Sequence, residues 1–179
     1  MQKKYDTTVL GLYVLDILGR PVSKIPEGGN LAYIEELRLT VAGTAGGTVV
    51  DCAKLGVSTL GVGAVGDDEK ADFVISTLKK FGVDTAGFER LKGIPTSSTI
   101  LNIRPNGERP ALHLRGACDH FLPPKKEKVD IFDCKVFHLG GTGLLKLLDG
   151  QVSVDLLKEA KERGCITTWD LIGATEETI

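Results

Sequence analysis

Hydrophobic positions along the chain form either short continuous runs or the spaced pattern of one helix face. Residues 7–15 are an apolar, β-rich run, which predicts a buried strand. Between residues 68 and 81 the apolar side chains recur on one helix face, with acidic residues at the start, lysines at the end and Gly82 beyond. The same reasoning predicts strands at 58–65, 135–139 and 165–170, and helices at 46–55 and 153–163.

Strands that alternate with helices favour an α/β fold, in which right-handed crossovers build a parallel sheet covered on both faces. Two segments depart from this rhythm. Residues 31–41 alternate as half-exposed strands do, and residues 97–115 hold two alternating runs around a Pro-Asn-Gly-Glu turn. We therefore expect a small β-layer, or lid, beside the main sheet. We also expect the C-terminal part of the domain to be missing, because a parallel sheet ordinarily continues beyond a strand such as the one ending at Asp170.

The composition narrows the class of protein. The 22 basic and 24 acidic residues leave a net charge of -2, with no basic surplus for nucleic acid or an anionic membrane. No apolar run reaches the roughly 18 residues of a membrane helix, and the N-terminus has no signal-peptide core. The four cysteines form no C-x-x-C pair, and the pairs Cys118/His120 and Cys134/His138 lack the spacing of a zinc site. We expect a reducing, cytoplasmic setting, no metal site, and no nucleic-acid or membrane partner.

One glycine-rich segment satisfies the dinucleotide-binding pattern G-x-G-x-x-G. Residues Gly61–Gly66 follow a strand-like run and precede a helix, and Asp84 lies near where a ribose-binding acid would stand. In that motif the helix N-terminus receives a pyrophosphate, which Asp67 and Asp68 would repel. We favour a strand with close neighbours and keep an NAD(P)-dependent Rossmann oxidoreductase as the weaker alternative.

Two further segments have chemistry suited to a ligand. Gly43–Gly47 passes from a strand into a helix, where backbone amides can hold hydroxyl or anionic oxygens; the alternative is a tight turn packed on the sheet. Asp16 follows the first buried strand, at the end of the sheet where α/β proteins bind ligands, and its carboxylate can accept hydrogen bonds from hydroxyls. The alternative for Asp16 is a turn or helix cap. The local sequence leaves both alternatives open in each case.

Taken in order, these segments resemble the ribokinase-like carbohydrate kinases, the PfkB family. The matching segments are Gly11–Asp16, Gly28-Gly29-Asn30, Ala42–Gly47 with Ala53–Gly56, Val65–Asp68, Pro95–Ser98, and the hairpin turn with Gly116–Asp119. The resemblance implies a ribokinase-like parallel central sheet flanked by helices, with lid strands at about 31–41 and 97–115. Residues 1–179 would then form an incomplete ribokinase-like domain.

The resemblance also implies an activity: transfer of the ATP γ-phosphoryl group to a hydroxyl of a sugar or sugar-like substrate, with Mg²⁺. The substrate-binding residues that it implies, or that lie on or near the lid hairpin, are Asp16, Gly43, Thr44, Gly46, Gly47, Arg104, Arg109 and His113. The last three can reach an anionic substrate; their alternative is a solvated hairpin face. The family usually has asparagine where Gly47 stands, and ribokinase has a substrate-facing glutamate near Gly140–Gly143, so we expect different sugar contacts.

The remaining expectations concern what this chain does by itself. The catalytic aspartate, the anion hole and the main nucleotide contacts of the family would lie C-terminal to it. We therefore expect no catalytic residue in the chain and no kinase activity from it alone. Because many relatives dimerise through the lid, we expect a homodimer. The alternative to a kinase is a non-catalytic sugar-binding or dimerising module.

Overall fold

The computed structural model describes residues 3–172, which contain nine strands and three α-helices. In chain order the strands are β1 Tyr5–Gly11, β2 Val14–Arg20, β3 Glu36–Ala42, β4 Thr59–Gly66, β5 Asp84–Leu91, β6 Ser98–Asn102, β7 Ala111–Leu114, β8 Cys134–Thr142 and β9 Ile166–Leu171. The helices are α1 Thr44–Lys54, α2 Glu69–Lys80 and α3 Gln151–Glu162, and a 3-10 turn spans Ala117–His120.

The strands form two sheets. The main sheet is parallel throughout, in the order β5-β4-β1-β8-β9, and the lid sheet has the order β3-β2-β6-β7. The apolar faces of α1 and α2 pack with Val9 on one side of the main sheet, and α3 packs with Leu10 and Phe137 on the other. The predicted α/β fold is confirmed. None of the helices in the described range is long and apolar enough to cross a membrane.

The apolar run 7–15 was predicted to be one strand. In the structure it is divided between β1 and β2, which belong to different sheets. β1 ends at Gly11, whose φ of 144° is open to glycine and whose Cβ, if present, would lie 1.8 Å from the carbonyl oxygen of Gly140. Four residues later the N–H of Leu15 already donates to the carbonyl oxygen of Ser97, the residue before lid strand β6, at 3.0 Å. The chain therefore leaves the main sheet and enters the lid within two residues, a change that hydrophobicity does not record.

The lid strands also differ from their predicted bounds. The predicted strand segment 31–41 is replaced by a shorter strand at Glu36–Ala42, and the hairpin strands are confined to 98–102 and 111–114. The lid also contains β2, of which only Val14 and Leu15 were predicted to be strand, as the end of the main-sheet run 7–15. The main sheet gains β5, which was missed because its mixed Thr, Gly, Glu and Arg content hides an edge strand.

The segment Gly61–Gly66 lies inside β4, and every residue of that strand is buried. A Cβ on Gly63 would lie 2.5 Å from the ring of Tyr13, so glycine is needed there for close packing. The helix that follows is capped by Asp68, whose carboxylate accepts the N–H of Ala71 at 3.0 Å. These glycines therefore form no phosphate-binding loop.

Candidate functional site

Strand register places four polar residues side by side across one face of the lid sheet. They are Thr40 on β3, Asp16 on β2, Thr99 on β6 and His113 on β7, and we call them the polar row. Asp16 was predicted to lie at the end of a main-sheet strand. It is instead the third residue of β2, in the lid sheet. The sequence singled out Asp16 and His113. Thr40 and Thr99 were missed, because only the pairing of the strands brings them to the carboxylate.

The two faces of the lid sheet overlook different parts of the molecule. Val14, two residues before Asp16 on the same face of β2, belongs to the core cluster that contains Leu139 near the end of β8. Leu15 and Val41, on the opposite face, belong to the cluster formed with α1 and α2. The polar row therefore faces the β8 side of the main sheet at its carboxyl end, where α/β proteins bind ligands.

The N-terminus of α1 lies beside the start of the polar row. Its N-cap is Gly43, three residues after Thr40, with φ 82° and no side-chain cap, and the first turn of the helix has no acidic residue. A Cβ on Gly43 would lie 2.3 Å from the carbonyl oxygen of Leu12, so the turn requires glycine. A helix start without a carboxylate cap keeps the positive end of its dipole available to ligand oxygens.

The predicted residues within this helix start differ in what surrounds them. A Cβ on Gly46 would lie 3.2 Å from Val41, so this glycine is packed against the lid strand. A Cβ on Gly47 would meet nothing within 4 Å, so open space lies beside the helix there. The Thr44 hydroxyl is buried and makes no hydrogen bond with any residue from 3 to 172. Gly47 is therefore the glycine of this turn best placed for close approach of a ligand to its Cα, while its N–H donates to the carbonyl oxygen of Gly43 at 2.8 Å.

The Asp16 carboxyl lies in a partly desolvated environment. Burial raises its pKa, and this outweighs the opposing effects of hydrogen bonding by Thr99 and of positive charge on His113. The Thr99 hydroxyl oxygen lies 3.0 Å from Nδ1 of His113. Thr99 and His113 thus interact directly, Asp16 lies in register beside Thr99, and none of the three caps a helix.

The two predicted arginines are not brought to Asp16. Arg104 lies five residues beyond Thr99, or up to roughly 16 Å along the chain, and its Nε is 3.6 Å from the carboxylate of Glu108 in the same turn. Arg109 is exposed in the loop before β7. Of the hairpin residues proposed to reach a substrate, His113 alone lies in the polar row.

A second group of carboxylates, which the sequence reasoning missed, lies at the carboxyl end of β8. Asp170 accepts the N–H of Gly141 at 2.7 Å, and Asp149 accepts those of Gly143 at 3.0 Å and Leu145 at 2.9 Å. These amides are already satisfied by negative groups, which disfavours a phosphate at this turn. Residues 3–172 also contain no group of three side chains that can hold a metal ion. The turn after β8 therefore has its amides at Gly141, Gly143 and Leu145 already bonded to carboxylates.

Residues 7–170 match the family described as pfkB family carbohydrate kinase. The chain belongs to this family. A fructokinase of Solanum tuberosum is 28% identical to this PfkB chain over 145 residues, which are 80% of this chain and 46% of that protein. The probable fructokinase-2 of Arabidopsis thaliana is 28% identical over 130 residues, 72% of this chain and 40% of that protein.

Solved structures give the same fold. An Arabidopsis thaliana ribokinase complexed with ribose and ATP superposes with a TM-score of 0.76 at 17% identity, over 96% of the PfkB chain and 55% of the ribokinase. A putative ribokinase from Agrobacterium tumefaciens superposes with a TM-score of 0.78 at 22% identity, over 97% and 55% of the two chains. The ribokinase-like fold is therefore confirmed, and the PfkB chain spans about half the length of these relatives.

Proposed function

We propose that the complete PfkB protein is an ATP-dependent sugar kinase and that residues 3–172 supply its sugar-binding half. The observation that carries this proposal is the polar row, a partly buried carboxylate flanked by hydroxyls and an imidazole, beside the uncapped start of α1. The fructokinase and ribokinase relatives support a sugar as the ligand and, through the ribokinase that holds it, ATP as the phosphoryl donor.

Asp16 is the residue that this proposal uses most. As an ionised carboxylate it accepts hydrogen bonds from two neighbouring sugar hydroxyls, and a hydrogen bond to a charged group contributes about 1.5–3 kcal/mol. The N–H groups of Gly46 and Gly47 already donate to the carbonyl oxygens of Leu12 and Gly43, so the first amides of α1, those of Thr44 and Ala45, are the ones that donate to other sugar oxygens. Gly47 leaves space for the ligand beside the helix. The lid covers the ligand and so reduces the access of water, which competes for the phosphoryl group.

ATP, when bound, supplies the phosphoryl group; its phosphates, Mg²⁺ and the catalytic base are assigned in this proposal to the part of the protein beyond this chain. The carboxylates at the β8 turn support that division, since they occupy the amides that a phosphate would need. Within this half, the residues bind and orient the sugar. A kinase half of this kind does not transfer phosphate alone.

The arrangement of charges favours an uncharged sugar as substrate. Arg20 and Arg38 both pair with Glu36, and Arg104 pairs with Glu108. Arg20 and Arg104 lie toward the outer end of the lid, whereas Arg38 lies on the same face as Asp16, opposite Leu18. A sugar acid or sugar phosphate would place its negative charge near the Asp16 carboxylate, and the arginine on that face, Arg38, is already paired with Glu36.

Titration calorimetry tests the proposal, with fructose and ribose as ligands. We expect the complete protein to bind at least one of them, and Asp16→Asn to weaken that binding at least tenfold, because the substitution removes the charge and keeps the shape. The matched control is Asp119→Asn, a carboxylate beyond the lid that pairs with Arg115. Unchanged sugar affinity in Asp16→Asn would show that Asp16 does not bind the sugar.

A second experiment tests whether this chain transfers phosphate by itself. A coupled assay of ADP release by the 179-residue chain should stay at background, and sugar-dependent turnover would contradict the assignment of catalysis to the rest of the protein.

We further propose that the PfkB chain dimerises through the apolar face of the lid. This face carries large side chains that are 45–69% exposed, namely Leu37, Leu39, Ile100, Leu112 and Leu114. Strands β3 and β7 are both edges of the lid sheet, and an exposed apolar sheet with free edges tends to pair with another chain. The lid of a second copy of the chain has the same apolar face, so the two faces can cover one another.

A further inference from the structure

Two buried thiols lie in contact at the amino end of the main sheet. Cys134 begins β8 and Cys165 comes directly before β9, and their sulfur atoms are 3.9 Å apart. Cys134 is fully buried, and Cys165 is 6% exposed. Parallel strands begin at the same edge of a sheet, so this pair lies at the edge opposite to the one where α/β proteins bind ligands. The thiol pair therefore has no part in the proposed sugar site.

A lysine lies against this thiol pair. Nζ of Lys3 is 3.9 Å from the sulfur of Cys165, and it donates to the carbonyl oxygens of Phe132 at 2.9 Å and Arg163 at 3.1 Å. These two carbonyls belong to the segments that lead into Cys134 and Cys165, so the ammonium group is held beside the sulfurs. A neighbouring positive charge stabilises a thiolate, which is the reactive form of cysteine.

The two cysteines differ in their surroundings. Burial raises the pKa of the Cys134 thiol above its ordinary value, and its sulfur lies 3.6 Å from the carbonyl oxygen of Ile131. Cys165 has the small exposed fraction and the contact with Lys3. Cys165 is therefore the thiol that a small reagent from solution meets first, and Cys134 is the thiol beside it.

We propose that Cys134 and Cys165 form a redox modification site, at which a peroxide oxidises the pair to a disulfide. The sulfur of Cys165 attacks one peroxide oxygen, the O–O bond breaks, and the thiol proton leaves with the other oxygen as water. The sulfur of Cys134 then displaces the hydroxyl group from the sulfenic acid on Cys165, and that hydroxyl leaves as water with the Cys134 proton. The pair loses two electrons, and one hydrogen peroxide is reduced to two molecules of water.

The disulfide joins two strands that are already neighbours in the main sheet. Its sulfurs have to approach from 3.9 Å to about 2.05 Å, a change that rotation of the two side chains can provide. The closed loop spans residues 134–165 and contains β8 and α3. Closing a loop restricts the unfolded state, so we expect oxidation to raise the melting temperature and dithiothreitol to reverse the rise. A disulfide without that rise would contradict the effect of loop closure.

Peptide mapping of the complete protein tests the proposal. The protein is treated with a small excess of hydrogen peroxide, alkylated in denaturant and digested with trypsin without reduction. We expect a disulfide between the peptide 129–135 and the peptide that begins at Gly164, and its loss after dithiothreitol. Cys52, the most accessible of the four cysteines, and the buried Cys118 are internal controls and should be alkylated. Oxidation of Cys52 while the pair stays reduced would overturn the proposal, because accessibility alone would then govern the reaction.

Variants test the order of the two steps. In Cys134→Ser the sulfenic acid on Cys165 has no partner, so dimedone should trap it; Cys165→Ser should give no adduct at Cys134. A dimedone adduct on Cys134 instead would overturn the assigned order. Cys134→Ala provides the same test if the serine variant does not fold.

The lysine has a matched control next to it in the chain. Lys3→Gln should slow disulfide formation about twofold to fivefold, the effect of one nearby charge. Lys4→Gln should leave the rate unchanged, since Nζ of Lys4 lies over the ring of Tyr5 instead. Equal rates in the two variants would exclude a role for Lys3.

Discussion

Asp68 accepts hydrogen bonds from both the main chain and the side chain of Thr96, two residues before lid strand β6. One carboxylate oxygen of Asp68 accepts the N–H of Thr96 at 3.0 Å, and the other accepts its hydroxyl. The same carboxylate caps α2 through the N–H of Ala71, and the Thr96 oxygen accepts the N–H of Gly66 at the end of β4. This pair therefore ties α2, the main sheet and the segment that leads into β6 to one another.

The first prediction is that Asp68→Asn destabilises the fold. An asparagine amide turns one acceptor into a donor, which then faces the N–H of Thr96 or Ala71 and leaves it unsatisfied. We expect a loss of about 1–3 kcal/mol in the free energy of unfolding, measured by urea denaturation. Asp72→Asn is the control, since the Asp72 side chain is 69% exposed and pairs with Arg90 on the surface; it should change stability by less than about 1 kcal/mol. Equal losses of unfolding free energy in the two variants would argue against a stabilising role for the Asp68–Thr96 hydrogen bonds.

The second prediction is that the stabilisation provided by Asp68 is lost at acidic pH. Burial alone would raise the pKa of Asp68, but hydrogen bonds from Thr96, Ala71 and Lys70 outweigh it and lower the pKa to about 2, from an ordinary 3.8. The folded state thus holds this proton more weakly than the unfolded state, so the stabilisation is present above about pH 4 and is lost as the pH falls toward 2. The difference in stability between the natural chain and Asp68→Asn should shrink over that range. A constant difference from pH 4 to pH 2 would contradict the assignment.

The third prediction is that the same change at Asp16 has the opposite effect on stability. Burial raises the pKa of Asp16, so the folded state binds its proton more tightly than the unfolded state does. The ionised carboxylate then destabilises the fold at neutral pH, and this effect fades in acid. The melting temperature of Asp16→Asn should be equal to or higher than that of the natural chain. A clear drop would indicate that Asp16 is a structural residue.

The fourth prediction separates two glycines of the predicted binding turn. Gly43→Ala places a Cβ about 2 Å from a backbone oxygen at a positive φ, so we expect a loss of at least about 2 kcal/mol. Gly47→Ala lies within α1 beside open space and should raise stability by about 0.5–1 kcal/mol. Thermal unfolding measures both. If Gly47 contacts the sugar, its alanine variant should also bind the sugar more weakly despite its greater stability, and normal binding would exclude that contact.

The fifth prediction tests the lid as a dimer interface. Light scattering at micromolar concentration should give a dimer, and Leu112→Lys should give a monomer, because the charge falls on the apolar face of β7. Ala111→Lys is the matched control: it is the neighbouring residue, also exposed, and points to the opposite face. A monomeric natural protein, or dissociation by both variants alike, would count against this interface.

Much of this architecture was predictable because it depends on local periodicity. The helix at 69–80, with its acidic start, lysine-rich end and following glycine, and the strand at 59–66 lie within one or two residues of their predicted bounds. Asp68, which the sequence placed at the start of the next helix, caps that helix. Each of these inferences uses residues that are neighbours in the chain, and such patterns persist in the fold.

The candidate site depended on contacts between residues distant in the chain. Asp16 was recognised as an unexpected carboxylate, yet its true place in the lid follows from the bend at Gly11, which packs against Gly140. Thr99 reaches Asp16 only through the parallel pairing of β2 and β6.

The sequence by itself determined the α/β class, the helix termini and the resemblance to sugar kinases, because hydrophobic period and motif order are written along one chain. The tertiary structure decided which polar side chains share a face, since strand register is set by packing and hydrogen bonds between segments.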